Sequence, residues 1–140
     1  MINDYFKVEY IDFEYICHKS KNILPHSNIL KLYKIPNILV FSFQRFDIQN
    51  NIKNNIKVSF PEILNVNDYI DEICGDKIKS LYNLYAIITH EGNLEFGHYR
   101  SHIKINDRNQ WYEFNDSIVK EIRLEDSLFK NAYILFYIKN

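Results

Sequence analysis

The sequence predicts an α+β domain, mainly an antiparallel β-sheet with few short helices, and three observations carry that prediction. The first is composition: 46% of the residues are hydrophobic and 16% aromatic, with eleven Tyr and ten Phe against three Gly and three Pro. That balance supplies a core, suits strands, and excludes a disordered or collagen-like chain. The second is a run of β-branched and aromatic stretches separated by tight turns, the pattern of strands paired antiparallel. The third is the run Ala132 to Ile138, apolar on both faces, as a strand flanked on both sides is. The 140 residues correspond to one domain or a piece of one.

Taken in order, Tyr5 to Ile16 alternates partly and reads as a strand, with Cys17 to Ser20 as a turn. The stretch after Pro36 is β-branched and aromatic and passes into alternation at Phe41, Phe43 and Arg45, another strand. Asp47 to Lys57 is polar and Asn-rich, a loop long enough to be functional. Val58 to Phe60 resumes a short strand that Pro61 stops. Asn67 offers a cap for one helical turn through Ile70. Leu81 to His90 is a strand, Glu91 to Gly97 a glycine-bounded turn, and His98 to Asn106 a second strand. Asp107 to Asn109 turns, Gln110 to Phe114 is a third strand, and Leu124 to Asn131 reads as a short helix. Trp111, Phe114, Tyr133 and Phe136 are core residues in this reading.

Several function classes drop out at once. A net charge of −1 gives no reason to expect nucleic acid or an anionic membrane as partner. No apolar run approaches the roughly 18–20 residues that span a bilayer, and the start of the chain lacks the pattern of a signal peptide. Two cysteines, Cys17 and Cys74, make no disulfide framework, so the expected compartment is the cytoplasm, the nucleus or both.

The chemistry-bearing blocks are ordered. Ile35-Pro36 runs to Gln44-Arg45-Phe46; Tyr82 to Gly92 leads through His90; Gly97-His98-Tyr99 follows. Then come Trp111-Tyr112-Glu113-Phe114-Asn115-Asp116-Ser117 with Val119, and last Ala132 to Tyr137. In this order and approximate spacing they resemble the C-terminal half of the catalytic domain of the ubiquitin-specific proteases, from about Cys17 onward. The resemblance implies the palm and fingers portion of a papain-like cysteine protease fold. It implies a thiol-dependent hydrolysis of the bond after ubiquitin's terminal glycine, and ubiquitin or ubiquitinated proteins as partners. It makes His98 the general base and then acid, Asn115 its orienter, and Asp116 a supporting polar residue near the oxyanion. Tyr99 stands near the channel for the ubiquitin tail, Gly97 and the loop before it resemble a blocking loop, and His90 is structural or positions that loop.

The residues support the pairing independently. His98 begins one strand and Asn115 ends the next, and antiparallel neighbours joined by a short turn bring those outer ends together. An asparagine carbonyl can accept a ring N–H and fix the tautomer. His18, His26 and His102 match no catalytic position and are read as surface or locally hydrogen-bonded residues.

Two departures from the family pattern stand out. The family's nucleophile lies in an N-terminal cysteine box, and nothing like it occurs here, so residues 1–140 are expected to be the C-terminal part of a catalytic domain, inactive alone. The family's zinc site also has no full counterpart, since Ser20 stands where Cys17 would need a second thiolate. No metal and no other cofactor is expected. A catalytically inactive ubiquitin-binding or scaffold module is the competing reading, and an unrelated β-rich binding domain a third.

Overall fold

A computed structural model describes residues 2–73, 81–105, 109–124 and 130–140, leaving aside the side chains of residues 12–15 and 24. Its main body is a seven-stranded sheet in the order β10-β9-β8-β7-β11-β3, with β6 also beside β7. The strands are β1 (Glu9–Ile16), β2 (Ile23–Asn28), β3 (Ile38–Ser42), β4 (Phe46–Asp47), β5 (Ile52–Lys53) and β6 (Ile63–Asn65). They continue with β7 (Leu81–Gly92), β8 (Gly97–Ile105), β9 (Gln110–Asn115), β10 (Ile118–Ile122) and β11 (Ala132–Lys139). The pairings between these strands are antiparallel, which matches the expected fold class. Helix is confined, among the described residues, to short pieces such as α1 (Ile2–Tyr5) and a 3₁₀ turn at Asn67–Tyr69.

The sheet is organised around β7 and β11. Along one edge β7 pairs first with β6, at Leu81 to Asn83, and then with β8, from Ala86 to Gly92. Its other edge takes β11, which in turn pairs with β3. Tyr82, Leu84 and Ile87 of β7 and Leu135 and Tyr137 of β11 are buried, with Val66, Ile70 and Trp111 packed into the same cluster. Two buried tyrosines end on backbone carbonyls: Tyr82 Oη donates to Pro36 O at 2.5 Å, and Tyr137 Oη to Pro61 O at 2.7 Å. Each satisfies its polar tip while its ring fills the core. Burial pushes the Tyr137 hydroxyl well above the usual tyrosine range.

Several boundaries differ from expectation, each for a local reason. The first strand begins at Glu9, because Ile2 to Tyr5 closes a helical turn with Phe6 N donating to Ile2 O. The Asn-rich stretch after Phe46 is a hairpin of β4 and β5 (turn 48–51), with Asn51 in the left-handed region at φ 53°. Val58 to Phe60 forms no strand; pairing with β7 starts at Ile63, after Pro61, which has no N–H for a ladder. The residue before the 3₁₀ turn is Val66, with no side-chain cap, so Asn67 is not the cap. The strand β10 was not foreseen. The short helix expected over Leu124 to Asn131 and the turn at Asp107 lie mostly outside the described residues, as does Cys74. Of the expected core residues Trp111 is buried, while Phe114, Tyr133 and Phe136 are half-buried; Leu135 and Tyr137 take the deep positions.

Candidate functional site at the end of the β7–β8 hairpin

The β7–β8 turn is built by one asparagine and two glycines. Asn93 Oδ1 accepts the backbone N–H groups of Glu95 and Phe96 at 2.9 and 2.8 Å, and Asn93 N donates to Phe96 O at 2.8 Å. Gly92 has φ 114°, and a Cβ there would lie 2.3 Å from Phe96 O. At Gly97 a Cβ would sit 2.0 Å from His90 Nε2. Glycine is required at both positions, the first by backbone conformation and the second by the imidazole packed on it.

Past this turn His98 enters β8, opposite Glu91. Strand alternation then puts His98, Arg100 and His102 on one face of the hairpin and Gly97, Tyr99 and Ser101 on the other. The β8–β9 register pairs Ser101 with Phe114, and one further step sets Arg100 opposite Asn115. His98 and Asn115 are therefore diagonal neighbours on one face, within reach of each other's side chains. They meet: His98 Nε2 and Asn115 Oδ1 are 2.6 Å apart. Asp116 follows in the two-residue β9–β10 turn at φ 51°, its Oδ2 3.9 Å from the same nitrogen. The imidazole is 44% exposed and the Asp116 side chain 80%. A ring whose Nε2–H donates to an amide oxygen presents a bare Nδ1 on its opposite edge. Such a ring can take a proton from an acid placed there and return it.

The other three predicted residues lie on the opposite face. His90 is 3% exposed, its ring 4.5 Å from that of Tyr99, 5.3 Å from Phe46 and 6.1 Å from Tyr133. Burial, assisted by the Lys53 ammonium, holds the imidazole below its ordinary value and so neutral. Lys53 Nζ donates to His90 O at 2.8 Å and Gly92 O at 3.1 Å, tying the β4–β5 hairpin to the β7–β8 turn. Arg45, 4% exposed, donates to Ala132 O, Asn54 O and Ile56 O, which fixes the base of that hairpin. Tyr99 is half-exposed above this cluster. The hairpin end thus carries the His98–Asn115 pair on one face and the His90 cluster on the other.

Of the remaining histidines, His102 is buried at 1% exposure, with Nε2 3.1 Å from Thr89 Oγ1, so it is locally hydrogen-bonded and not at the surface. Cys17 stands in the β1–β2 turn, where the Ser20 hydroxyl and the backbone of Ser20 and Lys19 hold its thiol below the ordinary value. Among the described residues no three His, Cys, Asp or Glu side chains converge as a metal set. Sequence reading passed over a strip of charge on the His98 face: Glu91, Arg100, Glu113 and Lys120. Arg100 Nη2 lies 3.1 Å from Glu91 Oε2 and Nη1 3.9 Å from Glu113 Oε2, whose other oxygen takes Lys120 Nζ at 2.9 Å. Alternation within β8 and β9 was the available signal for it.

Residues 1–137 match the family model described as ubiquitin carboxyl-terminal hydrolase. This chain belongs to the ubiquitin carboxyl-terminal hydrolase family. It is 31% identical over 148 residues to "Probable ubiquitin carboxyl-terminal hydrolase R319" of Acanthamoeba polyphaga mimivirus, covering 99% of this chain and 31% of the relative. It is 34% identical over 142 residues to ubiquitin carboxyl-terminal hydrolase 42 of Homo sapiens, covering 99% of this chain and 10% of that protein. The chain therefore spans about a third or less of the length of these relatives. Among solved structures it resembles the SAGA Ubp8/Sgf11/Sus1/Sgf73 DUB module bound to ubiquitin aldehyde, at 32% identity and a TM-score of 0.80. That match covers 99% of this chain and 32% of the solved one. The same module bound to monoubiquitin gives 33% identity and a TM-score of 0.79, over 99% and 31% of the two chains. Hydrolases of this family are the enzymes whose fold the sheet reproduces.

Proposed function

We propose that this chain supplies the acid–base half of a deubiquitinating thiol hydrolase, which cleaves the bond after ubiquitin's C-terminal glycine. The observation that carries the reading is the 2.6 Å pair of His98 Nε2 and Asn115 Oδ1 at an open hairpin end. His98 takes the thiol proton at Nδ1 and later hands it to the leaving amine, while Asn115 holds the ring and its tautomer. The thiolate attacks the carbonyl, the amine leaves, and water hydrolyses the thioester. Asp116, mostly solvated, assists at a distance. The nucleophilic cysteine comes from a segment of the enzyme other than these residues, in keeping with a match to a third or less of each relative. Cys17, in the β1–β2 turn, is not assigned that role. Tyr99, half-exposed, is assigned to the approach for the ubiquitin tail, with Gly97 and the buried His90 positioning the hairpin that carries it. Ubiquitin as partner is supported by the ubiquitin-bound state of the similar solved structures.

Two measurements test this. Hydrolysis of a ubiquitin C-terminal amide by the 140-residue chain is expected to be undetectable. Turnover that survives replacing both Cys17 and Cys74 would refute the thiol mechanism, and turnover abolished by replacing either one would refute the proposed placement of the nucleophile. Within an enzyme that includes the cysteine segment, His98→Ala should lower turnover by roughly three orders of magnitude or more. A loss of less than about tenfold would overturn the reading.

A further inference from the structure

The face that carries His98 also carries a carboxylate directly across from it. Glu91 is the partner of His98 in the β7–β8 register, and same-face side chains so paired start about 5 Å apart. A carboxylate there would accept an imidazole N–H in a charge-assisted bond, stronger than the bond a neutral amide oxygen offers. It is a built-in competitor of Asn115 for the ring.

The structure turns that carboxylate elsewhere. Glu91 Oε2 accepts from Arg100 Nη2 at 3.1 Å, and Oε1 accepts from Asn131 Nδ2 at 3.2 Å, so both oxygens are engaged. Arg100 is held in turn from its other side. Its Nη1 lies 3.9 Å from Glu113 Oε2, on a carboxylate whose side chain is 10% exposed and which Lys120 also grips. Glu113 is two residues from Asn115 on β9 and shares its face. Among the described residues, the charged groups on this face nearest His98 are thus Glu91 from β7, Arg100 from its own strand and Asp116 from the β9–β10 turn.

We infer that Arg100, assisted by Asn131, is a positioning residue that keeps the Glu91 carboxylate off His98 and leaves Asn115 to orient the ring. Its significance for catalysis rests on the proposed role of His98, but the geometry does not. Arg100 acts through Glu91, so removing Glu91 as well should undo the damage of removing Arg100. A guanidinium that merely braced the strands would give no such rescue.

The test reads the His98 tautomer in the ¹⁵N-labelled chain by long-range ¹H–¹⁵N spectra at about pH 8, where an ordinary imidazole is neutral. The Nε2–H form, the one bonded to Asn115, should predominate. Arg100→Gln should lower the ratio of Nε2–H to Nδ1–H about fivefold, the margin of a charged acceptor over a neutral one. The double variant Glu91→Gln with Arg100→Gln should restore it. Asn131→Ala, which frees one Glu91 oxygen, should shift the ratio in the same direction by less, and serves if Arg100→Gln does not fold. An unchanged ratio, or a double variant as perturbed as the single one, overturns the inference. Because the readout is independent of turnover, that outcome leaves the hydrolase reading to stand or fall on His98→Ala.

Discussion

An asparagine beside an imidazole orients without adding charge, and Asp116 is near enough to invite the opposite assignment. Distance and exposure separate them: Asn115 Oδ1 is 2.6 Å from His98 Nε2, while the Asp116 oxygen is 3.9 Å away on an 80% exposed side chain. In the proposed reaction Asn115→Ala should therefore reduce turnover by roughly ten- to a thousandfold, because the ring loses its tautomer lock. Asp116→Ala should reduce it less, and neither change should much weaken ubiquitin binding. Steady-state kinetics with a binding isotherm on each variant checks this; an aspartate effect exceeding the asparagine effect reverses the two roles. The pairing was legible in the sequence because alternation and one short turn determine which strand ends meet. The partners of Arg100 were not, since an ion pair depends on register, and sliding a strand by one residue would send every side chain to the other face.

At the scale of elements, β7, β8, β9 and β11 were readable from β-branched and aromatic runs between turn residues. The strand β10 escaped because Ile118 to Glu121 is exposed and shows no alternation between apolar and polar faces. The β4–β5 hairpin escaped because its two strands have two residues each, too short for a periodic signal. The hairpin that bears the site depends on glycine in a way the sequence alone does not disclose. Gly97→Ala would drive a methyl group into His90 Nε2 at 2.0 Å, and the ring is walled in by Tyr99, Phe46 and Tyr133. The expected loss is about 1–3 kcal/mol, a fall in melting temperature of roughly 3–10 °C for a chain of this size. A thermal melt of the variant within a degree or so of the parent would show that the cluster yields freely.

For the molecule as a whole, buried titratable groups make stability depend on pH. His102 sits deep in the sheet, and burial, with the Arg100 and Lys120 charges, holds it below its ordinary value of 6.5 against the opposing pull of Glu113 and Glu91. Such a group favours the fold when neutral. Its contribution is complete above pH 6.5 and is lost as pH falls from there toward the lower folded-state value. His90 acts in the same sense. Burial pushes the Glu113 carboxyl up, but the Lys120 hydrogen bond and the charges of Lys120, His102 and Arg100 outweigh it and hold the group below 4.5. Its contribution is present above pH 4.5 and disappears below. The melting temperature should accordingly be level above about pH 7, decline as pH falls below 6.5, and decline again below 4.5. His102→Gln should shrink the first decline to the part His90 contributes and leave the second; an unaltered first decline would assign it to other groups.

The pairing of β3 with β11 joins Ile38 to Ile138, a hundred residues further along the chain (138 − 38). A ribosome adding about 5–20 residues per second makes the first of these strands roughly 5–20 s before the second exists. During that interval the β3 backbone has no ladder to join, and its Ile and Val side chains stand beside nascent chain and solvent. Assembly of the sheet is therefore gated by translation, and the early strand is the segment that a chaperone, or a neighbouring polypeptide on the same message, meets first.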